Sequence, residues 1–222
     1  MPDHGVLLAR VRQARQRLAA EGPPYVRTED DFAAVSLPGA DCDALRDLLI
    51  AERVRSVVEI GLAYGSSALA IAEALVSLGD ADARHLIIDA YQDLFAHAGW
   101  EVLEAAGVTR LCTLLRERSQ LALPRLVTEG RVADAAFVDG SHIFHNVFVD
   151  LAFLREVVRP GGLVILDDCR LPSVATAVRY FEINAGWERR PMDGSTRLRA
   201  FRLPDPPCEP RFEEFAWFGS SG

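Results

Sequence analysis

The stretch from Ala135 to Asp168, AAFVDGSHIFHNVFVDLAFLREVVRPGGLVILDD, constrains the fold more than any other part of the chain. It reads as strand, helix, Pro-Gly-Gly turn and strand. Each strand is apolar and ends in acid: the first closes on Asp139, the second on Asp167 and Asp168. If the strands are parallel neighbours, those carboxyl ends lie roughly 5 Å apart, the spacing of paired strands. Three carboxylates would then share one rim of a sheet with His142. Like charges so gathered are costly unless a cation or a shared proton compensates them. Function is expected at that rim.

The pattern around this unit is regular. Apolar runs at Ser56–Ile60, His85–Asp89, Leu111–Leu115, Ala135–Asp139 and Leu163–Asp167 predict strands, with helical periods between them. Ala68–Leu78 and Leu94–Ala106 carry apolar residues three and four apart, and Gly107 suits a C′ position. Asn146 is placed to cap the helix that buries Val147, Leu151 and Leu154, and Asp41 to cap one through Leu45, Leu48 and Leu49. Val174–Ala185 reads as a last helix. Trp187–Met192 and Arg197–Leu203, joined by Asp193-Gly194-Ser195-Thr196, read as an antiparallel hairpin. Strands alternating with helices predict an α/β fold with a doubly wound, parallel sheet and helices on both faces.

A single domain over residues 1–222 is expected. Residues 1–40 form an N-terminal cover, with a helix over Val6–Ala20 and irregular chain over 25–40, and residues 204–222 a Pro-rich and then aromatic tail. The tail's Phe212, Phe215, Trp217 and Phe218 are expected to pack on the protein or on a second copy. The helix buries Leu7, Val11, Ala14 and Leu18, which leaves its arginines as a solvated face.

A net charge of -8 argues against nucleic acid, whose binding demands a basic face. No lysine occurs anywhere, which excludes Schiff-base lysine chemistry and the P-loop lysine. Cys42, Cys112, Cys169 and Cys208 form no CxxC pair and suit reduced thiols in a cytoplasmic protein. No apolar run is long enough to span a bilayer, so no membrane partner is expected.

VVEIGLAYGSS, Val57 to Ser67, carries a strand into a helix through a glycine turn. Gly61 and Gly65 permit a tight turn and a close approach of backbone to ligand. Asp89, ending the next strand, can accept hydrogen bonds from a ribose diol. Both point to a nucleoside-containing cofactor. The third position of GxGxxG is Ala63, so the dinucleotide pattern is broken, and Glu59 before the turn suits a cationic ligand better than a diphosphate. S-adenosylmethionine, with an amino group, a sulfonium charge and no phosphate, fits.

ExGxxxG, the acid ending the second strand, FVDGSH and PGGLVILDD, in this order, resemble the class I S-adenosylmethionine-dependent methyltransferases. The closer likeness is to their metal-dependent small-molecule O-methyltransferases: catechol O-methyltransferase and the bacterial sugar and antibiotic-tailoring enzymes. It covers about Val57 to Val178. The resemblance implies a Rossmann-like seven-stranded sheet, parallel with a reversed last strand. It implies that Glu59, Gly61, Tyr64, Gly65 and Ser67 hold the methionine portion of the cofactor, with Asp139 beside it. Asp89 takes the ribose-binding place, Ala90 the place beside adenine, and Ser119 and Gln120 a pair that contacts adenine. Asp139, Asp167 and Asp168 match magnesium ligands. His142 stands where the catechol enzyme has its catalytic lysine.

Carboxylates suit magnesium, manganese or calcium. Such an ion would lower the pKa of an acceptor hydroxyl, and His142 could accept its proton near neutral pH. The expectation is methyl transfer from S-adenosylmethionine to a hydroxylated small molecule, a sugar or natural product, by a protein that can form a homodimer. Alternatives are a nucleotide-dependent oxidoreductase and a cofactor-binding module without transfer activity. Plainer roles stand beside these: Asp139 and Asp167 as helix caps, Asp168 paired with Arg170, and His85, His97 and His145 as structural residues.

Overall fold

The computed structural model describes residues 4–28, 31–210 and 212–219. Seven strands form one sheet: β1 (Ser56–Ile60), β2 (Arg84–Ile88), β3 (Cys112–Leu115), β4 (Ala133–Val138), β5 (Val158–Leu166), β6 (Glu188–Arg190) and β7 (Arg199–Arg202). Their order is β3-β2-β1-β4-β5-β7-β6. The first five are parallel, and β7 runs antiparallel between β5 and β6. The chain therefore switches direction of travel across the sheet between β1 and β4, where ligands collect at the carboxyl ends of an open α/β sheet.

Among the described residues eight α-helices cover the faces: α1 (His4–Glu21), α2 (Asp31–Val35), α3 (Gly39–Ala51), α4 (Ser66–Leu78), α5 (Ala98–Ala106), α6 (Ser119–Thr128), α7 (Phe144–Val157) and α8 (Pro172–Asn184). Val58, Ile60, Ala136 and Val138 pack on α6, α7 and α8, whereas Val57, Ala135, Phe137 and Ile165 pack on α3 and α4. Burial on both faces explains the near-continuous apolar strands.

The departures from expectation are local. Residues 25–40 contain α2, and α3 starts at Gly39. Asp41 therefore lies inside α3 and caps nothing at its start: it is 1% exposed and accepts hydrogen bonds from Ser195, Thr196 and Arg197. Burial alone would raise its pKa, but those donors pull it below the usual carboxylate range. Asn146 is not the cap of α7, which follows Ile143; it sits within the first turn and donates to Ser141 Oγ at 2.9 Å. The helix expected over Leu94–Ala106 breaks at Ala96 and His97, both left-handed, into a 3-10 turn and α5. Pro160-Gly161-Gly162 lies within β5, beside a register shift against β4, rather than in a separate turn.

The arginines of α1 are not merely a solvated face. Arg12 donates to Glu73 on α4 at 2.9 Å, and Arg15, 14% exposed, bonds both Glu73 and Asp43. Glu73 is itself buried, and although burial opposes its charge, Arg15 and Arg12 hold its pKa low. These pairs pin the cover helix to the domain. In the tail, Phe215 and Phe218 pack against Tyr180, whereas Phe212 and Trp217 are exposed; Arg211 and residues 220–222 lie outside the described residues.

Candidate active site

The loop after β1 is shaped by contacts within the protein. Gly61 has φ +95°, and a Cβ there would stand 2.1 Å from the Asp139 carbonyl oxygen, so the close approach of the β4 end already demands glycine. Gly65, at φ +86°, is the left-handed residue from which α4 starts. Between them Ala63 holds φ +43°, which alanine seldom adopts. It is held by Asp89: the Leu62 and Ala63 N–H groups donate to Asp89 Oδ2 at 2.9 and 3.1 Å. Gln92 Nε2 donates to the same oxygen and to the Ala63 carbonyl, and Tyr91 N–H takes Oδ1. Asp89 thus braces the turn from the end of β2, and Ala90 follows it, half-buried, in a bend.

Glu59 is fully buried beneath the turn. It accepts from Ser67 Oγ at 2.5 Å, and its Oε2 lies 2.7 Å from His85 Nε2, off hydrogen-bond alignment. His85 is no bland residue. Burial opposes its charge, but Glu59 and Cys112 raise its pKa to about 9, so a buried ion pair underlies the loop at neutral pH. Tyr64 packs between Phe32 and Phe95; its hydroxyl donates to Asp31 and accepts from the Arg27 N–H, tying the turn to the cover segment.

The acid rim forms as the strand ends predict, with one rearrangement. Asp139 N–H donates to the Ile60 carbonyl and Asp167 N–H to the Val138 carbonyl, which aligns the ends of β1, β4 and β5. His142 Nε2 lies 3.3 Å from Asp168 Oδ2 and 3.7 Å from Asp139 Oδ1. Ligand atoms of Asp139, His142 and Asp168 all fall within 4.8 Å of one another. Asp168 reaches inward from a left-handed backbone, φ +53°, and the His142 carbonyl is fixed by Ser173 Oγ. Asp167 is not brought into this group. Its buried carboxylate is gripped by Arg197, with Nε to Oδ1 at 3.0 Å and Nη2 to Oδ2 at 2.5 Å. Burial and the neighbouring Asp139 nevertheless raise its pKa. Arg197, which sequence reasoning did not single out, also stands 3.4 Å from Asp168; Arg170 approaches the same carboxylate at 3.8 Å.

A cavity of about 160 Å³ joins these parts, lined by the 61–67 turn, by Asp139, His142, Asp168 and Arg197, and by residues 34–37 of the cover. Ser119 and Gln120 lie at the start of α6, two strands away along the same carboxyl edge.

A family model described as a methyltransferase domain matches residues 58–169. The chain belongs to that methyltransferase family. This sets aside the oxidoreductase alternative. No curated protein matches the sequence significantly. Among solved structures, it is similar to the O-methyltransferase TomG of Streptomyces achromogenes, involved in tomaymycin synthesis and solved with S-adenosylmethionine. Identity is 22%, 89% of each chain is covered, and the TM-score is 0.62. It is also similar to an O-methyltransferase of Bacillus cereus in complex with S-adenosylhomocysteine, at 17% identity over 87% of this chain and 90% of that one, TM-score 0.63. A Podospora anserina methyltransferase bound to S-adenosylhomocysteine shares 15% identity over 92% and 89% of the two chains, TM-score 0.64. These likenesses establish the fold of the family, including its reversed β7. Among the described residues no helix is long and apolar enough to cross a membrane.

Proposed function

We propose that this methyltransferase transfers a methyl group from S-adenosylmethionine to a hydroxyl of a small molecule, assisted by a divalent cation. One observation carries the proposal: the cavity sets the glycine turn directly against the cluster of Asp139, His142 and Asp168. The S-adenosyl ligands of the structural relatives support the choice of cofactor.

The residues present fit both groups. Asp89 Oδ1, which accepts only from Tyr91 among the described residues, keeps a lone pair for a ribose hydroxyl. The turn and Ser67 would border the methionine portion, with Glu59 acting from beneath through Ser67. Asp139 and Asp168 are hard oxygen donors that would suit magnesium or manganese better than a thiolate metal, and His142 Nε2 beside them would stay free of the ion to act as a base. Asp167 would act here through Arg197 rather than as a ligand.

When bound, the cofactor supplies an electrophilic methyl on a sulfonium sulfur, and the cation lowers the pKa of the acceptor hydroxyl. His142 Nε2 takes the hydroxyl proton. The methyl would pass from sulfur to the acceptor oxygen, leaving the cofactor as S-adenosylhomocysteine, while His142 held the released proton. The rim and turn contribute chiefly by holding two reactants in line. Ordinary ligand sites run to roughly 300–1,000 Å³, so this cavity would hold only the reacting ends of cofactor and acceptor. A groove of about 940 Å³ between α1 and α3 shares Ser36, Leu37 and Ser66 with the cavity, and would receive the body of a larger acceptor.

Two measurements test this. Titration calorimetry should show S-adenosylhomocysteine binding, and its absence would remove the cofactor. Turnover of S-adenosylmethionine against a panel of phenols, sugars and polyketide alcohols should fall sharply in excess EDTA and return with magnesium or manganese. Undiminished turnover in chelator would remove the cation from the mechanism.

A further inference from the structure

Asp167 is buried, and both of its carboxylate oxygens are engaged. Oδ1 accepts from Arg197 Nε at 3.0 Å and from the Asp168 N–H at 2.7 Å, and Oδ2 accepts from Arg197 Nη2 at 2.5 Å. The same Nη2 stands 3.4 Å from Asp168 Oδ1, so one cationic nitrogen straddles the two acids just past β5. This side chain is firmly seated: it is 16% exposed, and the Arg197 N–H donates to the buried Asp41 carboxylate at 3.1 Å. Arg170, the other arginine beside Asp168, is 72% exposed and comes no closer than 3.8 Å.

We infer that Arg197 is a positioning residue that withholds Asp167 from the divalent cation and so keeps the rim's hold on that cation weak and exchangeable. This rests on the cation reading above. Each carboxylate oxygen offers about two lone pairs, so Asp167 Oδ1 is filled, and the forked guanidinium holds Oδ2 as well. A hard cation gains affinity with each carboxylate it collects. Here it meets Asp139 and Asp168, whose ligand atoms lie within 4.8 Å of each other and of His142, and not Asp167. The guanidinium also places a like charge beside Asp168, which opposes an arriving ion. Arg197 therefore balances the rim before the ion enters and limits what the ion gains on entering. Its removal leaves three carboxylates without that balance, and a divalent ion is the group that restores it. One side chain thus sets the stability of the ion-free domain and the affinity for the ion in opposite directions.

The test measures manganese binding to the intact protein by titration calorimetry, and Tm in EDTA and in manganese. Arg197→Met should bind manganese about tenfold more tightly than the parent, or better. It should melt below the parent in EDTA, because Asp167 is left buried and unpaired, and recover most of that loss in manganese. Arg197→Gln, whose amide can take over the Nε bond without the charge, gives the same comparison should Arg197→Met not fold. Asp167→Asn combined with Arg197→Met removes the gained ligand, and its affinity should return to the parent's or below. Arg170→Met removes an exposed charge near the same acid and should leave the affinity within about twofold. A merely structural Arg197 would lower Tm on replacement and leave manganese affinity untouched. The inference is overturned if neither Arg197→Met nor Arg197→Gln binds manganese more tightly than the parent. It is equally overturned if the double variant or Arg170→Met binds as tightly as Arg197→Met. Absence of manganese binding by the parent and by every variant would instead overturn the cation reading, and this inference with it.

Discussion

Replacing His142 with alanine is expected to lower the turnover of methyl transfer by about 10²- to 10⁴-fold, the usual worth of a general base. Affinity for S-adenosylhomocysteine should stay near the parent's, because the imidazole faces the acid rim rather than the glycine turn. The pH dependence separates a base from a bystander. The Asp139 carboxylate, 3.7 Å away, raises the His142 pKa, burial opposes this, and the charge of Asp168 adds to the rise. The neutral form, which alone can take a proton, therefore accumulates only above the ordinary histidine value of about 6.5. Turnover should climb with pH along a limb above that value, and the variant should lose the limb. A variant that keeps both the limb and most of the turnover would place the base elsewhere.

Loss of the buried Glu59–His85 pair should cost the most stability. His85→Leu leaves the fully buried Glu59 carboxyl group with Ser67 as its remaining partner. Breaking such a pair from one side typically costs about 3–5 kcal/mol. For a chain of this size that corresponds to a fall of roughly 10 °C in Tm, read by calorimetry. Restoring electrical balance with Glu59→Gln in the same chain should recover part of the loss, because the penalty lies in the unpaired charge. The pair also sets a pH window. The folded-state pKa of His85, about 9, lies above its unfolded value, so the folded state binds the extra proton. Its contribution is fully present below about pH 6.5 and disappears as pH rises through 9. A Tm that fell equally for the parent and His85→Leu between pH 7 and 10 would contradict this assignment.

What could be read from the sequence followed from periodicity. Parallel strands buried on both faces announce themselves as apolar runs, and the acids that end them mark the carboxyl edge, so Asp139, Asp168 and His142 converge as expected. What escaped depends on pairings between distant segments. Asp167 is withheld from the cluster by Arg197, thirty residues on, delivered by the turn before β7. No local pattern marks that delivery. The Glu59–His85 pair had a fainter signal: each is a charged residue in an otherwise apolar run. In the β1–β2 register Glu59 lies opposite Ile87 and Val57 opposite His85, so the two are diagonal neighbours on one face. Helix α6 was not delimited because Pro124 lies inside it and reads as a breaker. At five residues, α2 is too short to show a period.

Asp41 carries a consequence for synthesis. Its carboxylate gathers Ser195 Oγ, Thr196 N–H and Arg197 N–H across more than 150 residues of chain, and the same turn carries the guanidinium that grips Asp167. Strands β1 to β5 leave the ribosome before the closing hairpin, since synthesis runs from the N-terminus. Until residue 197 emerges, Asp41 lacks its donors and Asp167 its counter-charge, so the nascent domain has strand ends but no balanced catalytic edge. Competence to bind at that edge should therefore appear abruptly and late in elongation, when the hairpin closes over α3.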